Sequence, residues 1–216
     1  MSNFKTYTHG PASGNAPKQL VILLHGLGAN GQDLLGLAPF YAQALPDAVF
    51  VSPDAPFPCD MAPMGYQWFS LQEWTAESIL RGVEEAAPLL ENFIAEQIRK
   101  YNVTADKTAL IGFSQGTMMS LYAGPRFREK LAGVLGYSGA LVWPETTDHD
   151  ALNKIPVCLI HGSDDSVVPL SAYYHAQTTL LKAGFTVTGG ITSGLMHNID
   201  EQGIVAGSEF LRSALL

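Results

Sequence analysis

Three residue types set far apart in the chain can together make a nucleophile: Ser114, an aspartate at position 164 or 165, and His197. A serine hydroxyl attacks poorly at neutral pH unless a base takes its proton and a third group orients that base. Ser114 is the centre of Gly112-Phe113-Ser114-Gln115-Gly116, a G-x-S-x-G pentapeptide. In a nucleophile elbow this pentapeptide joins a strand to a helix, and the partners follow in the chain order serine, acid, histidine. The acid is therefore sought after a late strand and the histidine after the last one. His161-Gly162-Ser163-Asp164-Asp165-Ser166-Val167-Val168-Pro169 directly follows a strand-like run and holds two aspartates. Asp165 is preferred and Asp164 competes. Capping of the turn and of the next helix is the plain structural alternative for both.

The base is expected at His197, in Ser193-Gly194-Leu195-Met196-His197-Asn198, at the opening of the C-terminal helix. Of the other histidines, His25 and His161 each precede a glycine at a strand end and read as packed, hydrogen-bonded loop residues. His9 lies in a polar leading stretch and His175 within a helix. Asp148-His149-Asp150 reads as a solvated loop, so no metal is expected. An acyl-transfer site also needs two N–H groups aimed at the developing oxyanion. One is expected from Gln115, the residue after the serine. The other belongs to the loop His25-Gly26-Leu27-Gly28 and is assigned to Leu27.

The elements that must position these residues alternate along the chain. Strand-like runs fall at 19–24, 49–51, 108–113, 133–137, 156–160 and 186–191, with a short leading strand at 4–8. Helices are expected over 32–45, 75–101, 170–182 and 199–211, and after Ser114. Pro88 lies inside the second of these, where its ring and missing N–H predict a kink near Glu84. Alternation of this kind is the pattern of a parallel sheet covered on both faces. No repeat or linker interrupts it, so a single domain over 1–216 is expected. Residues 138–155 are too few for a large cap domain, which predicts a fairly open site.

The bulk properties narrow the partners. The 216 residues are 47% hydrophobic and 15% charged, with a formal net charge of −8. That composition is globular, and without a basic run it argues against nucleic acid and against docking on anionic membrane. The apolar runs are too short to span a bilayer, so no integral membrane association is expected. The N-terminus shows no secretory h-region and no disulfide framework is indicated, which points to a cytoplasmic location. Cys158 reads as a buried small hydrophobe and Cys59 as a residue of a Pro-rich loop.

Taken together, these motifs resemble the phospholipase/carboxylesterase family of α/β-hydrolases, whose members include the acyl-protein thioesterases. The matching stretches are His25-Gly26-Leu27-Gly28, Ser52-Pro53-Asp54-Ala55-Pro56, Trp68-Phe69, the serine pentapeptide, 161–169 and Met196-His197. The resemblance implies an α/β-hydrolase fold, a triad of Ser114, Asp165 and His197, and oxyanion donors at Leu27 and Gln115. It favours Asp165 over Asp164, because the family's acid stands two residues before the Val-Val or Leu-Val pair. The chain departs from the eukaryotic thioesterases at Pro53-Asp54-Ala55 and over 58–65. There it is more similar to bacterial members, which act as general carboxylesterases.

The expected activity is hydrolysis of carboxylic esters with short to medium acyl chains through an acyl-serine intermediate, with thioesters and lysophospholipids within reach and no cofactor. The rate should climb with pH as His197 loses its proton. The substrate is expected to be a small ester or lipid-like molecule. Trp68 and Leu71 of the loop 53–72, together with Val168, are expected to contact the acyl chain, and a homodimer through an exposed apolar face is left open. The alternatives are an acyl-protein thioesterase or lysophospholipase proper, a peroxidase or C–C hydrolase on the same scaffold, and a non-catalytic binding module.

Overall fold

The alternation of apolar runs with helical stretches produces a layered sheet in the computed structural model, which describes residues 4–216. Residues 1–3, part of the stretch read above as lacking a secretory leader, lie outside the described residues. In chain order the elements are β1 (Thr6–His9), β2 (Gln19–Leu24), α1 (Gly31–Leu35), α2 (Ala38–Tyr41), β3 (Ala48–Pro53), β4 (Phe57–Pro58), β5 (Tyr66–Gln67), α3 (Ala76–Tyr101), a 3-10 turn (Ala105–Lys107), β6 (Thr108–Phe113), α4 (Gln115–Arg126), β7 (Gly133–Tyr137), β8 (Val157–Gly162), α5 (Leu170–Lys182), β9 (Val187–Thr192) and α6 (Glu201–Leu215). Among the described residues, seven strands form one sheet in the order β1-β3-β2-β6-β7-β8-β9. The edge strand β1 runs antiparallel to β3, and the other pairings in this sheet are parallel. β4 and β5 make a small antiparallel ladder within the Pro-rich loop.

Strand β2 shows why this sheet needs cover on both sides. All six of its residues are buried. Successive side chains of a strand point to opposite faces. Leu20, Ile22 and Leu24 therefore pack with residues of α3, α4 and α5, and Val21 and Leu23 with residues of α1, α2 and α6. Each fully buried Leu or Ile contributes roughly 1.5–3 kcal/mol. The stretch between β7 and β8 carries neither helix nor strand, so it forms no cap domain over the carboxyl edge of the sheet.

Two helices differ from expectation, and a third, α3, runs over the expected stretch with Pro88 inside it. The run 32–45 splits into α1 and α2. Asn30 caps α1, its side chain accepting from Asp33 N–H while the Asp33 carboxylate accepts from Asn30 N–H. Pro39 then falls in the first turn of α2, where its missing N–H is harmless; in one continuous helix it would break the ladder. Helix α3, capped by Thr75, continues through Pro88 as one element. Both Pro88 and Glu84 are exposed, so the carbonyl freed by the proline lies on the solvent side. Helix α6 begins at Glu201 because Asp200 caps it through Gly203 N–H at 2.8 Å. His197 consequently sits in the loop before the helix and does not open it.

This topology brings the carboxyl ends of β2, β6, β8 and β9 to one edge of the sheet. The loops leaving those ends carry His25 to Gly28, Ser114, Asp165 and His197, the usual location of function in an open parallel sheet. Among the described residues, no helix is long and apolar enough to cross a membrane.

Candidate active site

Ser114 links β6 to α4 with φ 54 and ψ −115, a conformation that strains a residue bearing a Cβ by roughly 1–3 kcal/mol. The neighbouring strand holds it there. Ser114 N–H donates to the Tyr137 carbonyl at 2.9 Å, and Thr117 Oγ1 donates to the same carbonyl at 2.8 Å. Thr117 N–H closes the turn onto the Ser114 carbonyl at 2.9 Å. The flanking glycines are required sterically: a Cβ on Gly116 would run into the Leu24 carbonyl, and one on Gly112 into the backbone of Gly116 and Thr117.

His197 and Asp165 meet across two loops. His197 Nδ1 lies 2.8 Å from Asp165 Oδ2. The Asp165 side chain is 0% exposed, and its Oδ1 accepts from Val167 N–H at 2.9 Å and from Val168 N–H at 2.8 Å. Burial alone would raise the Asp165 pKa. The hydrogen bonds from His197 and from the Val168 and Val167 amides outweigh that effect and hold it below the ordinary carboxylate value. An ionised carboxylate only accepts, so Nδ1 carries a proton, and in the neutral imidazole the lone pair is on Nε2. His161 supports the acid loop, its Nε2–H donating to the Val168 carbonyl at 2.8 Å. Asp164 is exposed and accepts from Ser163 Oγ at 2.6 Å, so of the two aspartates only Asp165 meets the histidine.

Ser114 and His197 line one cavity of about 210 Å³, together with Leu27 and Gln115. Gln115 is the first residue of α4, so its backbone N–H has no intrahelical acceptor. Leu27 lies in the turn closed by Ala29 N–H on the Gly26 carbonyl at 3.3 Å, and its own N–H makes no backbone bond among the described residues. The far wall is apolar, built from Leu71, Trp74, Met118, Val167 and Val168.

Leu71 and Val168 line this cavity, and Trp68 does not. It is 0% exposed, with its indole Nε1–H donating to the His25 carbonyl at 3.0 Å. Its ring packs 6.3 Å from Phe4 and 6.0 Å from His25, behind the Leu27 loop. A large indole in an apolar loop satisfies its burial and its one donor better in this core position than at the cavity wall. Trp74, 58% exposed, takes the wall position instead. Sequence reasoning missed Trp74, Met118, Val167 and Phe113. Met118 lies in the first turn of α4, the helix that the serine pentapeptide opens, and that position could have marked it. Trp74 carries no comparable periodic signal.

The loop 54–72 is bound to the site at several points. His25 Nδ1–H donates to the Gly26 carbonyl at 2.7 Å, and its Nε2 accepts from Ala55 N–H at 2.9 Å, so His25 is a structural residue. Gly28 N–H and the Ala29 carbonyl pair with Tyr66 at 2.9 and 2.8 Å. Cys59 and Cys158 are free thiols. Among the described residues, no cluster of three His, Cys, Asp or Glu side chains could hold a metal.

A strained serine at a strand-to-helix elbow, on a mostly parallel sheet and sharing a cavity with a carboxylate-bound histidine, defines an α/β-hydrolase fold. Within that class the chain belongs to the phospholipase/carboxylesterase family, whose model matches residues 11–215. It is 33% identical over 198 residues to "Esterase YpfH" of Escherichia coli (strain K12), covering 90% of this chain and 82% of that protein. It is 30% identical over 215 residues to "Acyl-protein thioesterase 1" of Eremothecium gossypii, covering 92% of this chain and 88% of that one. The crystal structure of esterase PE8 superposes with a TM-score of 0.92 at 38% identity, covering 98% of this chain and 99% of that one. The chain is a hydrolase of ester bonds.

Proposed function

We propose that this chain, acting as a single domain, is a serine carboxylesterase for short to medium acyl chains that works through an acyl-Ser114 intermediate. The observation that carries this reading is the 2.8 Å contact between His197 Nδ1 and buried Asp165, with His197 and Ser114 lining one cavity. His197 Nε2 takes the Ser114 hydroxyl proton as Oγ bonds to the ester carbonyl carbon. The carbonyl oxygen becomes an oxyanion facing the backbone N–H groups of Leu27 and Gln115. Collapse breaks the bond to the alcohol, which leaves with the proton from His197. Water then repeats the sequence: His197 takes its proton, hydroxide adds to the acyl carbon, and Ser114 Oγ is released reprotonated. Asp165 holds the imidazole tautomer and stabilises its cationic form at each step. No step uses a cofactor.

The apolar wall of Leu71, Trp74, Met118, Val167 and Val168 suits an acyl chain, and its modest volume favours short to medium lengths. Thioesters follow the same steps, in line with the likeness to a thioesterase. The test is hydrolysis of p-nitrophenyl esters from acetate to laurate by wild type and Ser114→Ala. The reading predicts turnover that peaks at short to medium chains and disappears in the variant. Turnover surviving in Ser114→Ala would overturn it.

A further inference from the structure

On the other side of Phe113 lies a second cleft, of about 340 Å³, which meets the first at Gly26, Ala29 and Phe113. Leu34, Leu37 and Ile199 form its apolar walls, and Asp33 and Asn198 its polar edge. We propose that this cleft receives the alcohol half of the ester, and that it accepts an apolar-bodied alcohol carrying no charge or a positive one while rejecting an anionic one. The inference rests on the esterase reading above and specifies its substrate class.

Position assigns the alcohol to this side. The acyl carbon is bonded to Ser114, its oxygen faces Leu27 and Gln115, and its chain fills the apolar first cavity. The departing oxygen must lie beside His197, which hands it a proton. The His197 ring packs against Phe113 with centroids 4.8 Å apart. Asn198 and Ile199, the two residues after His197, wall the second cleft. An alcohol leaving from His197 is therefore at the entrance of this cleft.

Charge sets the class. No lysine or arginine lines either cavity among the described residues. The one base in the second cleft, His25, is buried, and burial lowers its pKa. Its Nε2 already accepts from Ala55 N–H, so protonation would break a buried bond. The Asp33 carboxylate stands at the rim, with Oδ2 accepting from Asn30 N–H at 3.2 Å. An anionic group here would meet a carboxylate and no countercharge, a repulsive element of the kind that sets specificity.

The experiment compares butyrate esters of three alcohols of similar reach: choline, its neutral carbon isostere 3,3-dimethylbutanol, and the anionic 2-sulfoethanol. The wild type is predicted to favour the choline and 3,3-dimethylbutyl esters over the 2-sulfoethyl ester by at least about tenfold in kcat/KM. Asp33→Asn keeps an acceptor for Asn30 N–H and removes the charge. It should lower the choline to 2-sulfoethyl ratio by about threefold or more. Leu37→Ala gives a second reading, lowering the ratio of 3,3-dimethylbutyl to ethyl butyrate by about fivefold. Equal rates on the charged esters, or ratios unchanged in Asp33→Asn and Leu37→Ala, would overturn the assignment and leave the esterase reading intact. Folded wild type inert on every butyrate ester, the ethyl ester included, would overturn the esterase reading and this inference with it.

Discussion

The Nε2 of Gln115 donates to the Phe69 carbonyl across 2.8 Å, while its Oε1 accepts from the neighbouring Trp68 amide at 2.8 Å. The first residue of α4, whose backbone N–H has no intrahelical acceptor, thereby grips through its side chain the loop that walls the cavity. Both bonds are buried, so Gln115→Ala would strand a donor and an acceptor. Each stranded group costs about 1–3 kcal/mol. The variant should unfold at distinctly lower urea concentration and lose more kcat than the intact elbow alone would predict. An unchanged urea midpoint would contradict the role given to this side chain.

The two adjacent aspartates separate cleanly. Asp165→Asn leaves the loop but removes the ionised acceptor of His197 Nδ1–H, and kcat should fall on the order of 10⁴-fold. Asp164→Asn, on an exposed carboxylate, should change kcat by less than about threefold. Comparable losses in both variants would undo the assignment.

The depressed pKa of Asp165 also gives a stability signature. The folded protein holds this carboxylate ionised more firmly than the unfolded chain does. Its contribution is therefore complete above the unfolded aspartate pKa of about 3.9 and is lost as pH falls through the lower folded value. The difference in urea midpoint between wild type and Asp165→Asn should be constant from neutral pH to about pH 5 and should shrink below about pH 4. A difference that grows on acidification would have the wrong sign.

The two tryptophans of the 53–74 region should part ways on mutation. Trp68→Ala empties a fully buried site and should destabilise by about 3–5 kcal/mol. Trp74→Ala, at an exposed wall position, should leave the urea midpoint nearly unchanged and shift the p-nitrophenyl ester profile toward a different chain length. A stability loss in Trp74→Ala with no change in that profile would remove it from the acyl wall.

Cys158 is 2% exposed and burial pushes its thiol up to about 11, whereas Cys59 is part-exposed. At pH 8 the thiolate of Cys158 is scarce as well as shielded. Titration with a disulfide reagent should therefore count one fast thiol in the native protein and two after denaturation. Two fast thiols in the native state would contradict the packing described for β8.

Much of the site was legible because its signals are local. The glycines at 112 and 116 report a steric need that the structure reproduces, and the order of Ser114, Asp165 and His197 follows from a parallel sheet presenting strand ends on one edge. Strand positions were legible from continuous apolar runs, such as β2, that only burial on both faces explains. Features that depend on tertiary packing were not. Nothing local distinguishes Trp68, which seals the space behind His25, from Trp74, which stays at the wall. The split of 32–45 turned on whether Pro39 would fall inside one helix or at the start of a second, and the start of α6 turned on the Asp200 cap. The second cleft beyond Phe113 draws on residues 25–37 and 198–199, which only the fold brings together.

A covalent acyl group on Ser114 must form in each turnover. Wild type mixed with p-nitrophenyl butyrate, quenched in acid during the burst phase and digested, can be weighed peptide by peptide. The peptide holding Ser114 should gain the mass of one butyryl group in place of a hydrogen, and no other peptide should gain it. Turnover without that adduct, or an adduct on the Cys59 peptide instead, would rule out acylation of Ser114.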